Sequence, residues 1–278
     1  MFVGLLLGGI LINEYTFLLI FSVITALCLY EFYGLIEKDA KVEVPKYLNI
    51  VGGGLLLFGG AFMYSSAGGN CLYIEGGLSP NLIPYAFYLL ILFINELYQK
   101  RTNPLQSLAY SILGQVYIAL PFALLTGLAF PDSWETNYKY IFVLAIFVFI
   151  WVNDSFAYLT GMTFGKHRLF ERISPKKSWE GFIGGGAVVS IASSLIFAHF
   201  YSDLSIPAWM GFAAVTVAFG TWGGDLFESL IKRTLGVKDS GNMIPGHGGI
   251  LDRFDSTILA IPAVLVYLLL LNFIGSFQ

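Results

Sequence analysis

The sequence predicts an all-α, polytopic integral membrane protein with about nine transmembrane helices and its chemistry at the cytosolic boundary. Three observations carry that expectation. Apolar residues make up 56 % of the 278 and charged residues only 12 %, against about 25 % charged in an ordinary soluble domain. Apolar runs near the ~20 residues needed to cross a bilayer core recur along the whole chain. Basic residues gather in alternate connections between those runs, as the positive-inside rule requires.

Taken in order, the expected spans are 1–12, 15–36, 48–64, 81–98, 105–130, 139–164, 181–201, 207–231 and 257–275. The first is short: at 1.5 Å per residue it covers about 18 Å of a ~30 Å core. Met1 to Ile12 lacks a basic n-region and a small-residue cleavage site, so no cleavable signal peptide is expected. With the N-terminus inside, the inner connections hold 14 of the 15 Lys and Arg residues, and only Lys139 lies outside. The outer connections (13–14, 65–80, 131–138 and 202–206) are short, acidic or rich in Gly and Ser. Cys28 and Cys71 make neither a disulfide framework nor a zinc site. No repeat signals an inverted-repeat transporter. The 17 % aromatic content fits interface belts and helix packing rather than base stacking, and no nucleic-acid partner is expected.

Polar chemistry concentrates in the second half. The division expected is therefore an N-terminal structural region, 1–130, and a C-terminal catalytic region, 131–278. The run 229–255 reads S-L-I-K-R-T-L-G-V-K-D-S-G-N-M-I-P-G-H-G-G-I-L-D-R-F-D. It gathers Lys232, Arg233, Lys238, Asp239, His247, Asp252, Arg253 and Asp255 among five glycines, Gly248 and Gly249 included. Cations hold phosphates, carboxylates hold the divalent metals that accompany them, and glycines let backbone N–H groups approach. A plain solvated loop is the competing reading. Asp252 and Asp255 share a face if the last helix has begun, although both also suit a helix N-terminus with Asp255 or Ser256 as cap.

Three further groups sit at the same boundary. Asp225 and Glu228 are three residues apart on the eighth span, and either could simply pair with Lys232. Asn153 and Asp154 sit near the inner end of the sixth, as interfacial polarity or as ligands. Ser174-Pro175-Lys176-Lys177-Ser178 reads as a capped helix start with two lysines, an anion site or else a headgroup anchor. Glu31 and Glu96 read as interfacial, and His167 and His199 as structural.

The 229–255 run resembles the signature of the CDP-diacylglycerol synthase (phosphatidate cytidylyltransferase) family, S-x-φ-K-R-x4-K-D-x-small-x2-φ-P-x-H-G-G-φ-x-D-R-φ-D, at every fixed position. N-D-x-x-A-Y and S-P-K-K-S-x-E-G resemble further stretches of that family. The resemblance implies condensation of CTP with phosphatidic acid in the cell membrane, with the active site facing the cytosol and the enzyme a homodimer among membrane lipids. It implies magnesium on Asp225, Asp252 and Asp255, with a second, monovalent cation left open. Lys232, Arg233, Lys238 and His247 would then hold the triphosphate, with Asp239 also among the catalytic residues. Asn153, Asp154, Ser174, Lys176, Lys177, Ser178, Gly248, Gly249 and Arg253 would bind substrate.

Overall fold

A computed structural model describes residues 2–38, 40–66, 80–130, 138–201, 204–241 and 248–275. Among these, nine helical runs and one two-stranded hairpin account for the regular structure. Seven helices are long and apolar enough to cross a membrane: Glu14–Lys38, Pro80–Tyr98, Pro104–Ala129, Tyr140–Phe164, Trp179–Phe200, Ile206–Thr234 and Leu251–Gly275. Phe2–Leu11, at 10 residues, is too short to span alone. Lys46–Phe62 is a shorter apolar helix. The architecture is all-α and multi-pass in character, with seven helices of spanning length among the described residues where about nine spans are expected.

Two compact units make up the chain. One comprises Met1–Val143 together with Leu235–Asp252, the other Leu144–Thr234 with Arg253–Gln278. Compactness thus cuts the chain near residue 143, and the 229–255 run contributes to both units.

In the first unit, Lys46–Ser66 packs against both Glu14–Lys38 and Pro104–Ala129. Phe17, Phe21, Phe32 and Phe122 are fully buried there. A polar knot ties the same helices together. The Tyr33 hydroxyl donates to the Ser111 carbonyl at 2.7 Å, Asn49 Nδ2 to Ser111 Oγ at 2.8 Å, and Gln115 Nε2 to the Asn49 carbonyl at 2.7 Å. Polar groups buried among apolar helices need such partners, because no solvent replaces them.

In the second unit, Phe149, Phe197, Trp209 and Phe212 form an edge-on aromatic cluster, with Phe149 and Phe197 centroids 5.1 Å apart. Glycines let its helices approach closely. A Cβ on Gly185 would stand 2.7 Å from Asn153 Oδ1 and 2.9 Å from the Ala157 nitrogen, so only glycine admits the contact between Trp179–Phe200 and Tyr140–Phe164. Gly224 likewise abuts the Asp255 carbonyl and Ser256 Cα, which brings Ile206–Thr234 against Leu251–Gly275.

Two expected helix starts move. Ser174–Ser178 is a strand, β2, paired antiparallel with β1 (Arg168–Phe170), in place of the helix start expected at Ser174. The following helix begins at Trp179, and Ser178 is the residue that caps it, its Oγ accepting the Gly181 N–H at 3.2 Å. The last helix begins at Leu251 rather than near 257, which places Asp255 and Ser256 inside the helix and removes them as caps.

Candidate active site

The second unit holds a cavity of about 550 Å³, a size suited to a small-molecule or headgroup site. Four elements build it. From Tyr140–Phe164 come Asp154, Tyr158, Gly161 and Met162, which share one helical face by their i, i+4, i+7, i+8 spacing. The hairpin supplies Arg168, Leu169, Lys176, Lys177 and Ser178, Trp179–Phe200 supplies Phe182, and Ile206–Thr234 supplies Thr221 and Asp225. Cations, carboxylates and an apolar wall therefore meet in one space.

Lys177 anchors the polar side. Its ammonium pairs with the Asp225 carboxylate and donates to the Thr221 carbonyl at 3.2 Å. Both partners keep about a third of their side-chain surface exposed, 27 % for Lys177 and 30 % for Asp225, so they remain reachable by a ligand. Asp225 Oδ1 also accepts from Ser229 Oγ at 3.4 Å. A π-helical stretch, Val217–Gly224, leads directly into Asp225. Such widened turns re-aim side chains and recur at functional sites. With Gly224 against the Asp255 backbone, the carboxylates of Asp225 and Asp255 belong to one helix crossing.

The hairpin is held in place from outside the cavity. Glu180 accepts the backbone N–H groups of Lys166 and His167, each at 3.2 Å, and its Oε1 lies 2.6 Å from His167 Nδ1. His167 is thus the structural residue expected, tying the end of one helix to the start of the next.

Several expected site residues stand elsewhere. Asn153 is fully buried and donates to Thr221 Oγ1 at 3.0 Å, so it joins two helices and does not line the cavity. Lys232 pairs with the buried Glu228 at 2.9 Å, the internal ion pair that the sequence leaves open for Asp225 or Glu228, and its charge also reaches Asp255. Arg233, Lys238, Asp239 and Arg253 are exposed, and Ser174 is half-buried at the far end of β2. His247 lies outside the described residues.

Asp252 belongs to the first unit, where it organises the glycine loop. Its Oδ2 accepts the Ser240 N–H at 3.0 Å and the Gly249 N–H at 2.9 Å. Gly248 makes this possible: its φ of +80° lies in the left-handed region open to glycine, and a Cβ there would stand 3.2 Å from the Asp252 carboxylate.

Among the described residues, no three His, Cys, Asp or Glu side chains gather closely enough to hold a metal ion by themselves. The donor chemistry of Asp225 and Asp255 still fits one kind of ion. Magnesium is commonly bound through one or two carboxylates, with substrate phosphates completing its shell.

Sequence reading passed over Tyr158, Met162, Arg168, Leu169, Phe182 and Thr221 as site residues. The shared face of Asp154, Tyr158 and Met162 was the one signal that could have found part of this wall.

The cytidylyltransferase family model matches residues 1–271. A phosphatidate cytidylyltransferase of Haemophilus influenzae is 45 % identical over 125 residues, 43 % of this chain and 43 % of that protein. Phosphatidate cytidylyltransferases of Staphylococcus saprophyticus and Staphylococcus aureus are 40 % and 42 % identical over 146 residues, 51 % of this chain and 55 % of each. The chain spans about half the length of these curated relatives. With nearly all of its length matched by the family model, it belongs to the cytidylyltransferase family.

Proposed function

We propose that the protein is a magnesium-dependent phosphatidate cytidylyltransferase. The observation that carries this reading is the cavity in which Arg168, Lys176 and Lys177 face Asp154 and Asp225 beside an apolar wall of Leu169, Met162 and Phe182. That combination suits a lipid with a phosphate headgroup. The names of the relatives and the matched signature supply the nucleotide.

The chemistry asks for positioning and charge control more than for a base. A phosphatidate oxygen, already anionic, forms a bond to the α-phosphorus of CTP. The bond from that phosphorus to the bridging oxygen breaks, and its electron pair leaves with pyrophosphate. Lys177 and Lys176 hold the headgroup phosphate and offset the repulsion between two polyanions. Asp225 orients Lys177 through their ion pair, while Met162 and Phe182 keep water from the headgroup. Magnesium held by Asp225 and Asp255, two of the three carboxylates expected, would supply further neutralisation of phosphate charge. Preorganised electrostatics of this kind supply much of the acceleration in phosphoryl chemistry.

Purified protein in mixed micelles should release pyrophosphate only when CTP, phosphatidic acid and magnesium are all present, in amounts equal to the CDP-diacylglycerol formed. Release that continued without phosphatidic acid, or with magnesium chelated, would contradict the proposal.

The active site faces the cytosol in this account, since the basic residues cluster on one side of the expected spans. In sealed, right-side-out vesicles of a variant lacking Cys28 and Cys71, a cysteine at position 176 should resist an impermeant thiol reagent until the membrane is opened. A cysteine at position 69 should react at once. Immediate labelling at 176 would reverse the orientation and remove CTP access.

A further inference from the structure

Glu31 lies on Glu14–Lys38, only 6 % exposed, and the chemistry proposed above gives it no task. Its surroundings do. Oε2 accepts a hydrogen bond from the Ser240 hydroxyl at 3.2 Å and another from the Leu251 N–H at 2.9 Å. Leu251 is the first residue of the last helix. Its amide is one of the N-terminal donors that a helix leaves without an internal acceptor. A carboxylate there also faces the positive end of the helix dipole. Glu31 therefore caps the last helix from more than two hundred positions away in the chain.

The fit around Glu31 is tight. A Cβ on Gly241 would stand 2.7 Å from Oε1, and one on Gly249 would stand 2.6 Å from Oε2 and collide with Ser240 Oγ. Both glycines leave the room that this carboxylate fills. Asp252 closes the same two segments from the other side, through the N–H groups of Ser240 and Gly249. Two carboxylates thus clasp Ser240–Gly241 to Gly248–Leu251. Glu31 Oε1 makes no hydrogen bond among the described residues, so the side chain is held in a buried place at some cost.

We infer that Glu31 is a positioning residue for the signature loop: it fixes Ser240 against the start of the last helix and so sets the placement of Lys238, Asp239 and Asp252. The inference rests on the cytidylyl-transfer reading for its kinetic consequence, and on the hydrogen bonds alone for its structural one.

Glu31→Ala, Glu31→Gln, Ser240→Ala and the Glu31→Ala/Ser240→Ala pair test it in the full-length protein in micelles. Losing hydrogen bonds to a buried charge should lower kcat/KM for CTP about tenfold to a hundredfold in Glu31→Ala. KM for phosphatidic acid should hardly move, because the cavity assigned to that lipid is built from other segments. Glu31→Gln keeps one acceptor oxygen and should recover most of the activity. The double variant should be no worse than its worse single parent, since both act through one contact. Amide exchange at Ser240 and Leu251 should quicken in Glu31→Ala whether or not turnover can be followed.

Losses matching only the fall in folded protein, equal for both substrates, would overturn the inference. Fully additive losses in the pair, or unchanged amide exchange, would overturn it as well. A wild-type protein that makes no CDP-diacylglycerol would instead sink the catalytic reading, and the exchange result would still decide the role of Glu31.

Discussion

Asp225→Asn is expected to abolish cytidylyl transfer, with kcat lowered on the order of a thousandfold. The substitution keeps the volume of the side chain and removes its charge. Asp225 lines the cavity, pairs with Lys177 and stands at the crossing where Gly224 touches Asp255. Asparagine leaves the Lys177 ammonium facing a neutral amide and removes one of the two carboxylates proposed to hold magnesium. The glycine-mediated helix contact is untouched, so insertion and thermal unfolding in detergent should stay close to wild type. Turnover within tenfold of wild type at limiting magnesium would show that Asp225 holds neither the lysine nor the ion in the reacting state.

Lys177→Met is the second large effect expected, a loss of about a hundredfold in kcat/KM for phosphatidic acid. Methionine keeps most of the unbranched apolar stem of lysine and lacks the terminal ammonium, so packing beside Ser178 and Thr221 should survive. The loss should appear with the lipid substrate more than with CTP, because the lysine lies among the apolar residues assigned to the lipid. Lys177→Arg should retain part of the activity, since a guanidinium still pairs with a carboxylate and a phosphate, though with a different reach. Kinetics in mixed micelles at varied lipid mole fraction separate these outcomes. Equal losses with both substrates would argue for a general structural role.

The all-α fold was legible because a bilayer imposes a length on each span, and apolar runs of that length are visible without any structure. The helices recovered follow those runs closely. What escaped was local competition. Ser174 and Ser178 both carry capping chemistry, and nothing within S-P-K-K-S says which of them caps. Pairing of β2 with Arg168–Phe170 decided it, a contact that reading one segment at a time does not reveal. The last helix started early for a related reason: Leu251 is capped by Glu31, a residue on another helix, so no local cap marked the start.

Facing was the second blind spot. A helix that is hydrophobic around its whole circumference gives no sign of which side turns inward. Asn153 and Asp154 are neighbours, yet one ties two helices together and the other lines the cavity. Glu31 read as an interfacial residue and proved to be buried in the loop it holds. The carboxylates and lysines of the site were legible as types and as a cluster. Their partners, Lys177 with Asp225 and Lys232 with Glu228, needed the fold.

The fate of label from CTP tests the central claim most directly. Cytidylyl transfer breaks the bond on the α-phosphorus, so the α-phosphate and the cytosine remain on the lipid. Kinase chemistry would move only the γ-phosphate and leave cytosine in soluble CDP. With magnesium and phosphatidic acid present, the purified protein should convert α-labelled CTP into an organic-extractable labelled lipid. γ-Labelled CTP should put its label into pyrophosphate and none into lipid. Lipid labelled from γ-labelled CTP alone, or from neither nucleotide with the protein intact, would contradict the account.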